Sequence, residues 1–316
     1  MAKTAVDSAA VRLAVRIARA LGARGAQVDL EGWLAPWLPR LAARALLGFD
    51  LGREQTSRLL EVADLRRRHA ALPFGPCPPS RAPFLQAWHD RRRRPLAEAL
   101  LIEAEKARAP VLGGLVRDLG REGAGRAILP ILCAFADQPL LQVGWTVWAL
   151  ARQDPVAARI ASEVRHGAWI AADPIRPHTL VGRVLAESLR LYPSAPFAAR
   201  TLTRPARIGD YDAPAGLSLV IPIWSIHRDR ERWQEPHAFS PGRWETRAPD
   251  RTDYLPFGLV GTTCPAARLV QNLVGILIAR LTEVLVFSPA PGVNWRPVLA
   301  ASLLTVGPKV VWVQRR

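Results

Sequence analysis

The stretch YLPFGLVGTTCPAARL, Tyr254 to Leu269, decides how the rest of the chain is read. Two glycines, Gly258 and Gly261, precede Cys264, and Pro265 follows it at the head of an apolar run that continues to about Val284. Proline suits the first position of a helix, where its missing N–H would have had no partner. The spacing therefore predicts a glycine-bearing loop, then Cys264, then a helix opened by Pro265. A thiol at that junction faces free backbone N–H groups and the positive end of the helix dipole, which favour the thiolate. Cys264 is thus a candidate metal ligand or nucleophile, with an ordinary buried cysteine ahead of a helix as the plain alternative.

A cysteine nucleophile wants a general base. His227 and His237 are the nearest histidines in sequence, and neither falls in a recognisable protease pattern. For zinc, the other ligands are missing. A single thiolate makes most sense where the metal arrives already coordinated, as iron does in haem.

Upstream of this stretch, apolar spacing predicts helices over Val11 to Leu21, Leu30 to Leu47 and Leu96 to Glu105. A long run with few charges follows, Ala127 to Ala151. Asp137 and Pro139 interrupt it, so it reads as a helix through a protein core rather than a bilayer span, and no transmembrane segment is expected. Pro139 removes an intrahelical hydrogen bond, so a bend or opening is expected there, with Asp137 as a cap if the helix breaks. A helix over Thr179 to Leu191 ends at Tyr192 and Pro193. Strands are expected over Phe197 to Thr203 and Leu217 to Ile223, with Asp212, Pro214 and Gly216 turning between them. Trp224 to Phe257 reads as an aromatic, proline-rich loop region, and the tail LLTVGPKVVWV as a hairpin around Gly307 and Pro308.

Four pieces of this text, in order and spacing, resemble cytochrome P450. Tyr254 to Leu269 is similar to the family's haem loop, with Phe257 and Gly258 seven and six residues before Cys264. ESLRLYP resembles its ExxR helix through Glu187 and Arg190, which share one helical face. FSPGRW, Phe239 to Trp244, resembles the segment that supplies a further arginine, here Arg243, and the likeness runs from about Leu189 to Val270. AFADQP, Ala134 to Pro139, aligns with the oxygen-activation segment. The resemblance implies a fold that is mainly α with small β-sheets, one domain over residues 1–316. It also implies haem (iron protoporphyrin) held by Cys264 as axial ligand, with Phe257 and Gly258 in the haem-binding loop, Arg200 of PFAAR on a propionate, and Glu187, Arg190 and Arg243 as a buried structural network. Read without the resemblance, Glu187 and Arg190 would be an exposed helix pair, and Arg200 an edge-strand arginine in water.

The same resemblance marks departures. Asp137 matches the family's acid, but Gln138 stands in the place of a threonine, an amide that shuttles protons poorly where a hydroxyl would pass them. Phe135 replaces a small glycine. Val260, Thr262 and Ala266 replace a glycine, a basic residue and a glycine around Cys264, which implies a looser grip on haem. The likeness also implies that the chain starts near the family's fourth helix, lacking its N-terminal portion and with it one wall of the pocket.

The activity implied is insertion of one oxygen atom from O2 into a small apolar substrate, with electrons from a ferredoxin or flavoprotein reductase. Asp137 and Gln138 are its candidate catalytic residues. The rival expectation is a noncatalytic P450-like auxiliary protein that binds and stabilises a partner enzyme, and a fragment that does not fold is a third. Composition bounds these readings. Of 316 residues, 49% are hydrophobic and 22% charged, which excludes a disordered chain and a polytopic membrane protein. Lys plus Arg outnumber Asp plus Glu 43 to 27, for a net charge of +16. The excess is nearly all arginine, a skew that reads as coding bias. The runs Arg66 to Arg68 and Arg91 to Arg94 lack interleaved aromatics and read as a solvated helix face or loop, so no nucleic acid is expected, and the resemblance implies an acidic redox protein as the partner of the basic surface. Cys77, Cys133 and Cys264 form neither an even disulfide set nor a CxxC pair, which fits a reducing, cytoplasmic setting.

Overall fold

The computed structural model describes residues 11–12, 15, 25–70, 83–108, 110–167, 179–247, 250, 252–259, 261, 263–293, 295–299, 302–305 and 309–316. Most of the expected helix over Val11 to Leu21 lies outside these residues, as do Cys77, Val260, Thr262, Gly307 and Pro308.

The chain enters through strand β1 (Ala26–Asp29) and passes into helices α1 (Leu30–Leu34), α2 (Leu38–Leu47), α3 (Arg53–Ala70) and α4 (Pro83–Lys106). The helix expected over Leu30 to Leu47 is therefore two. Asp29 caps α1, its carboxylate accepting from the Glu31 N–H, while α2 carries a proline in its first turn and ends at Gly48. Helix α5 (Pro110–Ala151) runs through the middle and packs against α1, α2, α3 and α4. Its apolar C-terminal half lies in the core, buried among the other elements. It contains Pro130 and Pro139, yet its backbone stays helical through both, and the one non-helical residue is Gly120 at φ 70° and ψ 170°. The break expected at Pro139 is thus found at Gly120, where only the backbone freedom of glycine is needed. Asp137 consequently lies inside a helix and not at a helix end.

Two more helices, α6 (Asp154–Arg165) and α7 (Leu180–Leu191), pack on α5. Thr179 caps α7 by accepting from the Gly182 N–H at 3.1 Å, and the next residues bury Leu180, Val181, Val184, Leu185 and Leu189 along one side. After α7 the chain forms β2 (Ala198–Thr201), the hairpin β3 (Ala206–Ile208) and β4 (Tyr211–Ala213), and β5 (Ser218–Ile221). β2 and β5 pair antiparallel, Arg200 opposite Leu219. The connection expected to be a simple turn holds the β3–β4 hairpin, closed by Gly209 at φ 58° and Asp210.

Helix α8 (Ile223–Ile226), a 3-10 turn (Pro241–Glu245) and helix α9 (Ala267–Val284) complete the helical part. The tail forms β6 (Leu285–Pro289), β7 (Pro297–Leu299), β8 (Leu303–Thr305) and β9 (Val310–Arg315). Among the described residues the strands on either side of the expected tail hairpin do not pair with each other. β8 pairs with β7, and β9 lies between β1 and β6 in a three-stranded antiparallel sheet. Residues 309 onward thus find partners far upstream in the chain. Lys309, nearly fully buried, gives its ammonium to the Glu31 carboxylate and its carbonyl to the Leu30 N–H.

Candidate functional site

Cys264 sits on a loop whose shape is fixed by backbone hydrogen bonds. The Cys264 N–H donates to the Phe257 carbonyl at 2.8 Å, and the Gly258 N–H to the Leu255 carbonyl at 3.1 Å. Gly258 at φ 90° and Gly261 at φ 83° adopt left-handed backbone that an L side chain resists. Phe257 packs against the core. Pro265 does not open the helix: α9 starts at Ala267, and the Ala267 N–H closes a turn onto the Cys264 carbonyl at 3.1 Å. Ala266 has φ −91° and ψ 3°, an ordinary turn conformation, so alanine meets no backbone penalty there. Cys264 itself is half-buried and free, in contrast to the buried Cys133.

Glu187, Arg190 and Arg243 are brought together. Glu187 and Arg190 are both fully shielded from water. The Arg190 Nε and Nη2 donate to Glu187 at 2.9 Å each, Nη1 to the carbonyls of His227 (2.8 Å) and Pro236 (2.7 Å), and Nη2 also to that of Ala238 (2.9 Å). All five guanidinium N–H groups thus have acceptors, which is what permits such a charge in the interior. The Glu187 carboxylate also accepts from the Ser240 N–H, Arg243 Nε and Trp244 Nε1 at 2.9, 2.9 and 3.0 Å. The exposed-pair reading is therefore wrong for these two residues.

Aromatic rings close the network. Trp233, nearly fully buried, has two guanidiniums over its ring, the Arg190 and Arg247 centres 5.0 and 4.1 Å from its centroid. Tyr254 packs against Trp244 and donates its hydroxyl to the Ala186 carbonyl at 3.1 Å. Burial raises its phenol well above the usual value, and the Glu187 charge adds to this. His227, weighed from the sequence as a base for Cys264, is fully buried and points elsewhere. Its Nδ1 meets the Arg190 carbonyl at 3.0 Å, and its Nε2 accepts from the Leu255 N–H at 2.8 Å. Burial lowers it to about 3, with the charges of Arg190 and Arg228 acting in the same direction. Beyond the aromatic richness of Trp224 to Phe257, no local pattern in the sequence signals this placement.

On α5, every residue between Leu132 and Ala151 is buried except Ala134, Asp137 and Gln138. Spaced i, i+3 and i+4, these three share one face. The Gln138 amide donates to Ser302 Oγ at 2.8 Å, a tie to the segment before β8 that the sequence does not suggest. One turn on, Gln142, Ser188 and Thr146 form a buried polar chain that joins α5 to α7, with Gln142 Nε2 to Ser188 Oγ at 2.9 Å and the two hydroxyls 2.8 Å apart. Arg200 is half-buried on β2, and its Nη1 donates to the Ala199 carbonyl at 2.7 Å.

A mainly helical shell with small sheets thus holds a half-buried thiol just before a long helix and, upstream of it in the chain, a buried glutamate shared by two arginines. The cytochrome P450 family model matches residues 142–311, more than half of the chain. The chain belongs to the cytochrome P450 family. It is similar to the (+)-piperitol/(+)-sesamin synthase of Sesamum radiatum, 27% identical over 49% of this chain, and to the dimethylnonatriene synthase of Arabidopsis thaliana, 30% identical over 55% of it. These likenesses span 32% and 35% of the relatives' own length, about a third. Among solved structures, the cytochrome P450 CYP175A1 from Thermus thermophillus has a TM-score of 0.74 at 21% identity, covering 99% of this chain and 72% of that one. A second cytochrome P450, CYP102L1, has a TM-score of 0.77 at 17% identity, with 99% and 73% covered.

Proposed function

We propose that the protein is a haem-thiolate monooxygenase that places one oxygen atom from O2 into a small apolar substrate, with electrons from a ferredoxin or flavoprotein reductase. The observation that carries this reading is the setting of Cys264: a half-buried thiol on a hydrogen-bonded glycine loop. Among the described residues no group of three or more His, Cys, Asp and Glu side chains is placed to hold a metal ion. A metal at Cys264 would therefore bring its other ligands with it, as iron in porphyrin does, and the donor set fits haem.

Cys264 would hold the iron, Phe257 and Gly258 would shape the loop that carries this thiol, and Arg200 would offer its guanidinium to a propionate. Bound haem supplies the oxygen-activating chemistry. The chain's own contribution is positional. Glu187, Arg190 and Arg243 fix the segment leading to the Cys264 loop, while Ala134, Asp137 and Gln138 form the accessible face of an otherwise buried helix half. Asp137 is the group on that face able to take and give a proton. Gln138, tied to Ser302, orients the face without relaying protons.

The test is a spectrum. Protein expressed with ample haem precursor, then reduced and exposed to carbon monoxide, is expected to absorb at the position typical of thiolate-ligated haem. Cys264→Ala is expected to abolish that band, and a colourless wild-type chain would overturn the reading. Gln138, an amide where a proton-passing hydroxyl is expected, and Pro139 beside it favour a second reading, a noncatalytic P450-like auxiliary protein that binds and stabilises a partner enzyme. That reading expects a folded chain without haem-dependent substrate oxidation when surrogate reductases are supplied.

A further inference from the structure

We infer that His227 is a positioning residue for Cys264, holding the cysteine loop in register with the helix that carries Glu187 and Arg190. The hydrogen bonds form a continuous path. Because Nε2 accepts from the Leu255 N–H, Nδ1 must carry the ring proton and donate it to the Arg190 carbonyl, so the neutral ring exists as one tautomer. The Leu255 carbonyl then accepts from the Gly258 N–H, and the Phe257 carbonyl from the Cys264 N–H. Each step from the end of α7 to the backbone of Cys264 is thus a direct hydrogen bond or a stretch of one to three residues. His227 is the only side chain in that path.

The path is also locked from its other side. The His227 carbonyl accepts from Arg190 Nη1, so backbone and ring of one residue both grip Arg190. Tyr254 stacks on the imidazole with ring centres 5.5 Å apart, next to the residue that donates to Nε2. The charged groups around the ring are the guanidiniums of Arg190 and Arg228, both of which oppose an imidazolium, and the ring's burial acts in the same sense. A protonated His227 would lose its acceptor nitrogen and release Leu255.

Its purpose rests on Cys264 being the ligand proposed above, and the geometry can be tested with or without haem. An asparagine amide reaches where Nδ1 lies and can donate to the Arg190 carbonyl. A glutamine amide oxygen reaches where Nε2 lies and can accept from Leu255. In the full chain, alkylation of Cys264 by iodoacetamide is followed by peptide mass spectrometry, with the buried Cys133 as internal reference. His227→Asn is expected to raise the Cys264 rate about tenfold relative to Cys133, the equivalent of one buried N–H left without an acceptor, while His227→Gln stays near wild type. With haem bound, His227→Asn is expected to move the carbon monoxide band away from the thiolate position, and His227→Gln to retain it.

Three results would overturn the proposal: an unchanged ratio in His227→Asn, a parallel rise at Cys133, which reports general loosening, or a His227→Gln chain that behaves like His227→Asn. A colourless wild type bears only on haem binding and leaves the alkylation comparison intact.

Discussion

Glu187 accepts hydrogen bonds from Arg190, Arg243, Trp244 and the Ser240 backbone while shielded from water, so its charge has been exchanged from solvent to a full set of donors. Removing a charged partner from such a set leaves the opposite charges buried and uncompensated, at a cost of about 3–5 kcal/mol. Glu187→Gln is therefore expected to lower unfolding free energy by about that amount in urea titration. Trp244→Phe, which deletes a single donor, should cost about 1.5–3 kcal/mol. At the same scale, His227 gives the protein a pH dependence. Its ring titrates near 6.5 when unfolded and at about 3 when folded, so the unfolded chain binds the extra proton between those values. Its stabilising contribution is complete above about pH 6.5 and is lost progressively as pH falls towards 3. Melting temperatures taken across that range should fall on acidification, and the fall should be shallower in His227→Gln.

The glycines of the cysteine loop act at the level of the element. Gly258→Ala forces a side chain onto φ 90° and is expected to destabilise by about 1–2 kcal/mol in thermal melts. Gly242→Ala, in the 3-10 turn with open space around it and no positive φ, should change stability by less than about 0.5 kcal/mol. Elements of this size are readable in the sequence where their signals are local. Helix α7 lies where its cap and apolar spacing put it, because Thr179 and the buried leucines are close neighbours in the chain. The loop and cysteine are equally readable, but the helix after them starts two residues late, since Pro265 is used in a turn instead. Helix α3, rich in charge and weakly amphipathic, carries little periodic signal. The pairing of Gln138 with Ser302, and of His227 with Leu255, is not legible at all. Each depends on segments that meet only after folding.

For the whole molecule, the least legible feature is the sheet that joins distant parts of the chain. β9 alternates half-buried and buried side chains from Val310 to Val313 as a strand should, but which strands it pairs with is set by residues more than 280 positions away in the case of β1. Deleting residues 310–316 removes the middle strand, so β1 and β6 both lose their partner, and the Trp295 indole loses the Val310 carbonyl it donates to at 3.2 Å. Such a chain is expected to melt at a markedly lower temperature and with reduced cooperativity, measured by circular dichroism. Because that middle strand is synthesised after both of its neighbours, the sheet cannot close until residues 310–316 have left the ribosome. Until then β1 and β6 present open edges, the kind of surface on which a nascent chain pairs wrongly with its neighbours.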